Sequence, residues 1–272
     1  MHPLVRGISF FPKDEYMEVI TFGGGERLRA TAQAFPKYLK DREKYSSVSR
    51  VIILPIPSTR DGKLVTGTGI TLNSVLSEVS GETLVAGWGL PREWCDAVVR
   101  RRGRVYDASL DEELVEENAR LTAIGALGRI LTDNQRAPED LAIGVIGWGR
   151  IGKLITRYLL FLGARVRVYT TSPKVREELS SLGIETRDTY LERDYTSLDV
   201  IVNTAPARVI CESDAASLPP HVKIMELASG NGLDGVPRVT KFPSIPEAMY
   251  PHSAGEIYAE YIAMQLCREV SL

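Results

Sequence analysis

The sequence predicts an α/β protein of two doubly wound, parallel-sheet domains joined by a long helix, with a C-terminal helix packing back on the first domain. Three observations carry this. Short, continuous apolar runs recur along the chain, bounded by Gly, Pro or Asp, as in strands buried on both faces. Helical segments alternate with them, which implies parallel strands with right-handed crossovers. The length of 272 residues, set against roughly 150 per domain, allows two modest domains.

The elements follow in order. Glu18-Val19-Ile20-Thr21-Phe22 reads as a strand ending at Gly23-Gly24-Gly25, and Arg27 to Leu39 as a helix that Pro36 interrupts or ends. Val51-Ile52-Ile53-Leu54 is a buried strand bounded by Pro55 and Pro57, and Asp61-Gly62 is a turn. Thr83 to Ala86 is a strand, Arg92 to Arg101 a helix and Arg104 to Asp107 a strand, which completes a substrate-side domain over 1–110. Ser109 is placed as the cap of the connector helix, with Glu112 three residues on as its capping-box partner. Leu114, Leu121, Ile124, Leu127 and Leu131 then recur at helical spacing, and the connector is assigned to 111–137.

Residues 138–245 carry the clearest order. Leu141 to Ile146 reads as a strand and Ile151 to Leu162 as a helix closed by Gly163. Arg165 to Tyr169 is a strand with Val166 and Val168 on one face, and Pro173 to Leu182 a helix closed by Gly183. Val200 to Val202 and Val222 to Leu227 are two more buried strands, and residues 246–272 hold a last helix from about Ser253 to Cys267.

Composition excludes several classes. Lys plus Arg total 33 against 35 for Asp plus Glu, a net of −2, so no basic excess points to nucleic acid or a membrane surface. Arg100-Arg101-Arg102 with Arg104 lacks interleaved aromatics and reads as a solvated face. Cys95, Cys211 and Cys267 form no CxxC pair, which fits a reducing cytoplasm, and three histidines are too few for a multi-His metal site. Glu212 and Asp214 beside Cys211 disfavour its thiolate. No apolar run approaches the ~18 residues of a membrane span. Met1 to Arg6 lacks a leader pattern, and Pro12, Lys13, Asp14 and Glu15 interrupt the nearest candidate.

The most informative motif is Gly147-Trp148-Gly149-Arg150-Ile151-Gly152, a G-x-G-x-x-G. It follows a strand directly and opens a helix, the context that makes this spacing a dinucleotide cradle. Gly147 permits the tight turn, Gly149 the approach of a pyrophosphate, and Gly152 close packing of helix on strand. The helix N-terminus, at Arg150 and Ile151, offers free N–H groups and positive partial charge. The second domain is therefore Rossmann-like. After the strand Arg165–Tyr169 come Thr170, Thr171 and Ser172, then Lys174 and Arg176, with no carboxylate among them. Hydroxyls and cations there favour NADP over NAD.

Asn203-Thr204-Ala205-Pro206-Ala207, Glu226-Leu227-Ala228-Ser229 and Pro246 through Ser253-Ala254-Gly255 resemble the dipicolinate synthase A-subunit family. The first half agrees. Gly23-Gly24-Gly25-Glu26-Arg27 resembles that family's first glycine loop, and Leu54 through Gly62 its proline-rich strand end. Asn118-Ala119, Thr122-Ala123 and Gly125-Ala126 resemble its connector-helix motif. The resemblance implies two Rossmann-like domains and oxidation of a dihydropyridine dicarboxylate, dihydrodipicolinate, to dipicolinate, with NADP accepting the hydride. It also implies a partner, the flavoprotein B subunit, and a link to sporulation. Ile124 stands where the family pattern has a glutamate, and Gly230 and His252 where it has lysines. These departures mark a divergent member, and they keep a non-catalytic nucleotide-binding relative in play.

The remaining candidates follow from chemistry and placement. Arg60, with Ser58 and Thr59, comes just after a buried strand, where α/β ligands bind, and can hold a carboxylate bidentately. Asn203, Thr204, Ala205 and Pro206 follow a strand on the nicotinamide side, Asn203 as a catalytic candidate in reach of cofactor ribose or substrate and the other three as cofactor contacts. Thr122 on the connector and Ser253 are further substrate candidates. An imidazole suits proton transfer near neutrality, which makes His252 the candidate acid–base group and Glu247 a weaker one, read as a loop acid. Pro251-His252-Ser253-Ala254-Gly255 also resembles the histidine motif of D-2-hydroxyacid dehydrogenases. Against that rival, Ala228-Ser229-Gly230 stands where it would place a carboxylate-binding arginine. A homodimer is the expected assembly.

Overall fold

The computed structural model describes residues 17–39, 48–230 and 232–268. The N-terminal stretch read for a leader lies outside them. The chain divides into two compact units, 1–118 with 246–272 and 119–245.

The first unit is built on a four-stranded sheet, β1 (Glu18–Thr21), β2 (Arg50–Ile53), β3 (Thr83–Gly87) and β4 (Arg104–Asp107), in that order and all parallel. Both faces are covered. Val19, Val51, Ile53, Leu84 and Ala86 pack with α1 (Glu26–Ala34) and α9 (Pro251–Arg268) residues such as Leu28, Tyr258 and Ile262. Ile20, Ile52, Leu54 and Val85 pack on the other side with α2 (Leu72–Leu76) and α3 (Arg92–Arg100), through Leu72, Val75, Trp94 and Val98. Alternate residues of one strand are thus buried on opposite faces, which is why these strands read as unbroken apolar runs.

Helix α1 ends at Ala34, and Pro36 sits in a short 3₁₀ turn, Phe35–Tyr38. The C-terminal helix packs on α1 so closely that a Cβ on Gly255 would stand 2.5 Å from Ala30 Cβ and 2.7 Å from the Arg27 carbonyl oxygen. Only glycine allows that approach.

Helix α4 (Glu112–Asp133) runs from the first unit into the second. Its cap differs from the expected Ser109. Ser109 lies in a one-turn 3₁₀ helix, Ala108–Leu110, and donates to Asp107 Oδ1 through its N–H and hydroxyl. Asp111 takes the capping place, accepting from Leu114 N at 3.3 Å. Its carboxylate also favours the positive end of the helix more than a hydroxyl does.

The second unit holds a six-stranded parallel sheet in the order β10-β9-β8-β5-β6-β7. These are β5 (Ala142–Ile146), β6 (Arg165–Tyr169), β7 (Glu185–Arg187), β8 (Val200–Asn203), β9 (Lys223–Glu226) and β10 (Val239–Lys241). Helices α5 (Arg150–Phe161) and α6 (Pro173–Ser181) follow β5 and β6, α7 (Glu212–Ser217) lies between β8 and β9, and α8 (Ile245–Met249) precedes α9. The chain runs outward from β5 through β6 to β7, then returns to add β8 on the other side of β5. That reversal is a topological switch point, where doubly wound sheets bind ligands at the carboxyl ends of the strands. No described helix is long and apolar enough to cross a membrane.

Candidate active site

The glycine loop sits at the switch point. Gly147 adopts φ 99°, a conformation open to glycine, and its N–H donates to the Tyr169 carbonyl at 2.9 Å. Gly152 is buried, and a Cβ there would stand 2.2 Å from the Gly147 oxygen and 3.0 Å from Thr204 Oγ1. At Gly149, by contrast, a Cβ would meet nothing within 4 Å. The loop is thus closed beneath and open above. Gly149 also caps α5 with no side chain on the helix N–H groups. This donor set and open space fit a dinucleotide pyrophosphate held by backbone N–H groups from Gly149 to Gly152. Trp148 and Ile151 are half-buried, and Arg150 is exposed.

The end of β8 is tied to that loop. Thr204 Oγ1 donates to the Ile146 carbonyl at 2.9 Å, and Thr204 N donates to the same oxygen at 2.8 Å. Ala205 is half-buried and Pro206 exposed beside it. Asn203 is fully buried, and its side chain is fixed on every side. Its Oδ1 accepts from Ala205 N at 3.1 Å, while Nδ2 donates to the Ala205 carbonyl at 3.1 Å and to Glu226 Oε1 and Oε2 at 3.0 and 3.2 Å.

Glu226 is the residue that reading along the chain missed. It ends β9 in register with Asn203, only 3% exposed, and its Oε1 also accepts from Ala228 N at 3.0 Å. Burial raises its pKa, against the lowering by the Asn203 and Ala228 hydrogen bonds. The available signal was an acid at the carboxyl end of a strand, directly after the apolar pair Ile224-Met225.

At the end of β6, Thr170 is buried and Thr171 and Lys174 are exposed. Ser172 caps α6, accepting from Val175 N at 3.3 Å. Arg176 is already engaged: its Nη1 donates to the Thr170 carbonyl at 2.6 Å and to Asp188 Oδ2 at 2.8 Å. A carboxylate therefore does stand here, delivered by the residue after β7. Asp188 is held ionised first by the Tyr190 N–H, with Arg176 adding to the effect.

The other candidates are dispersed. Thr122 is buried on α4 in the second unit. In the first unit, Arg60 is exposed after β2, and Thr59 donates to Asp61 Oδ1 at 3.1 Å. His252 and Ser253 are exposed in the first turn of α9. Glu247 is no free loop acid: it is half-buried on α8, and its Oε1 accepts from Arg27 N at 3.4 Å. Ile124 is half-buried, and Gly230 is exposed with φ 122°.

Comparison with known proteins agrees with this geometry. Residues 126–235 match the family described as D-isomer specific 2-hydroxyacid dehydrogenase, NAD binding domain. The A component of dipicolinate synthase from Bacillus subtilis (strain 168) is 27% identical over 132 residues, 46% of this chain. That match spans 44% of the relative, less than half of its length. The crystal structure of the A component of dipicolinate synthase from Bacillus halodurans superposes with a TM-score of 0.72 at 19% identity, over 92% of this chain and 97% of that one. The corresponding Bacillus subtilis structure gives a TM-score of 0.72 at 17% identity, over 93% and 96%.

Proposed function

We propose that the chain is a divergent relative of the A component of dipicolinate synthase, and that it oxidises dihydrodipicolinate to dipicolinate with NADP. The observation that supports this most is the glycine cradle at the β5/β8 switch point, in a chain that follows the dipicolinate synthase fold over nearly its whole length.

The roles follow from placement. N–H groups of Gly149 to Gly152 bind the pyrophosphate, and Thr170, Thr171, Ser172, Lys174 and Arg176 face the adenosine ribose and its 2′-phosphate. Asn203, Thr204, Ala205 and Pro206 form the nicotinamide side. When bound, NADP supplies the hydride acceptor. The substrate loses a hydride and a proton and becomes aromatic, so the chain has mainly to orient it and remove the proton. His252 takes the proton, and Arg60, Thr59, Thr122 and Ser253 are the substrate-side groups. The proposed partner is a flavoprotein B subunit, and the proposed state a cytoplasmic homodimer.

Turnover of enzymatically generated dihydrodipicolinate with NADP, followed by NADPH absorbance, tests the reading. NADPH formation that His252→Ala reduces at least tenfold is expected. Absence of turnover in protein that binds NADPH overturns it. A second reading, a D-2-hydroxyacid dehydrogenase, is favoured by the family match over 126–235 and by His252, and turnover of 2-hydroxy acids would select it.

Cofactor choice has its own test at Asp188. Its charge offsets Arg176 and opposes a 2′-phosphate. Asp188→Asn is expected to raise the NADPH-to-NADH affinity ratio about tenfold, or ~1.4 kcal/mol. Calorimetric titration with both nucleotides measures it, and an unchanged ratio places the 2′-phosphate elsewhere.

A further inference from the structure

We propose that Gly23-Gly24-Gly25 and Arg27 form a carboxylate site in the first unit, and that the chain's own Glu247 stands at this site when no ligand does. The location is the carboxyl end of β1, where the chain turns into α1. The cap residue is Gly25, and no side chain of the cap satisfies the first N–H groups of this nine-residue helix.

Arg27 is the independent observation. It is 4% exposed, yet among the described residues no carboxylate pairs with its guanidinium. One hydrogen bond, Nη1 to Asn118 Oδ1 at 3.0 Å, holds it, and its buried Nε has no partner. The Tyr258 ring lies 6.0 Å from Cζ, and that buried hydroxyl also lacks a partner. A guanidinium is always charged in proteins and has five donors arranged for a flat oxyanion. Leaving it buried with an orphaned N–H is costly, so such a group is most readily explained by an anion that arrives with function. Desolvation lowers its pKa to about 10, and the nearby Glu247 charge acts in the opposite direction.

Glu247 identifies the ligand chemistry. Its Oε1 accepts from Arg27 N at 3.4 Å, on the helix N-terminus. A Cβ on Gly25 would stand 2.3 Å from that oxygen, so the absence of a side chain there is what admits a carboxylate. Gly24 is exposed, and a Cβ on it would meet nothing within 4 Å, which leaves an entrance. The long 3.4 Å contact, to the backbone N–H rather than the guanidinium, is a weak hold that a better-placed carboxylate can displace.

The inference rests on the reading above only in taking the ligand to be the substrate's carboxylate. The test is calorimetric titration of dipicolinate into the full chain, with and without saturating NADPH. Glu247→Gln removes the internal competitor and is expected to tighten dipicolinate binding at least fivefold. Arg27→Lys keeps the charge but loses the fork, and is expected to weaken it at least tenfold, with NADPH affinity within twofold in both variants. Dipicolinate binding unaltered in folded Arg27→Lys, or unaltered in Glu247→Gln, overturns the site, as does failure of both wild type and Glu247→Gln to bind dipicolinate. Inorganic phosphate binding as tightly as dipicolinate overturns the carboxylate assignment. If both variant effects appear while dihydrodipicolinate is not turned over, the site stands and the proposed reaction falls.

Discussion

Replacing Gly152 with alanine is expected to weaken dinucleotide binding at least about 100-fold, or ~2.7 kcal/mol. The added Cβ would stand 2.2 Å from the Gly147 carbonyl oxygen and 3.0 Å from Thr204 Oγ1. Both obstacles sit in a locked frame. Gly147 is pinned to the end of β6, and Thr204 donates twice to the end of β5. No flexible side chain can yield, so α5 must move off the loop, at an overpacking cost of about 1–3 kcal/mol or more. The amides at its N-terminus then lose their aim at the phosphates. Gly149→Ala is the control. Its φ of −82° is open to any residue, and its Cβ would meet nothing within 4 Å of protein, so thermal stability should hold. The methyl would instead enter the space assigned to the pyrophosphate and weaken NADPH about tenfold. Calorimetry and thermal denaturation on both variants read the two effects. Gly149→Ala binding NADPH like wild type would mean that the loop carries no pyrophosphate.

This division between what a loop does for the fold and for a ligand is partly legible in the sequence. The spacing of Gly147, Gly149 and Gly152, with an apolar strand before and a helix after, locates the cradle because each glycine answers a local backbone demand. Unbroken runs such as Val51 to Leu54 betray strands buried on both faces. The edge strands β7 and β10 are three residues each, with Glu185, Thr240 and Lys241 exposed. Half-exposed, they carry no continuous apolar run, so nothing local announces them. Asp188 follows one of these edges, which is why the carboxylate facing Arg176 is invisible along the chain. The same holds for Arg27 and Glu247, which meet across 220 positions. Local chemistry is readable where the chain closes on itself within a turn. Sheet register and long-range packing decide the rest.

Register also sets the other large effect, because Asn203 and Glu226 are cross-strand neighbours. Asn203→Ala should destabilise the protein by about 2–4 kcal/mol, since it leaves a buried carboxylate with the Ala228 N–H as its remaining described donor. The loss should grow with pH. Burial already holds the Glu226 carboxyl above its ordinary value, so the folded chain keeps a proton that the unfolded chain releases. Stability then falls as pH rises from about 4.3, the ordinary Glu value, through the raised folded one. The Asn203 hydrogen bonds act against that rise. Removing them pushes the carboxyl higher still and steepens the fall, whereas Glu226→Gln abolishes its contribution. Urea unfolding at intervals between pH 4 and 8 measures all three chains. A flat difference between Asn203→Ala and wild type across that range would show that the Asn203 amide has no part in the ionisation of Glu226, and their pairing at the ends of β8 and β9 would then be one of packing alone.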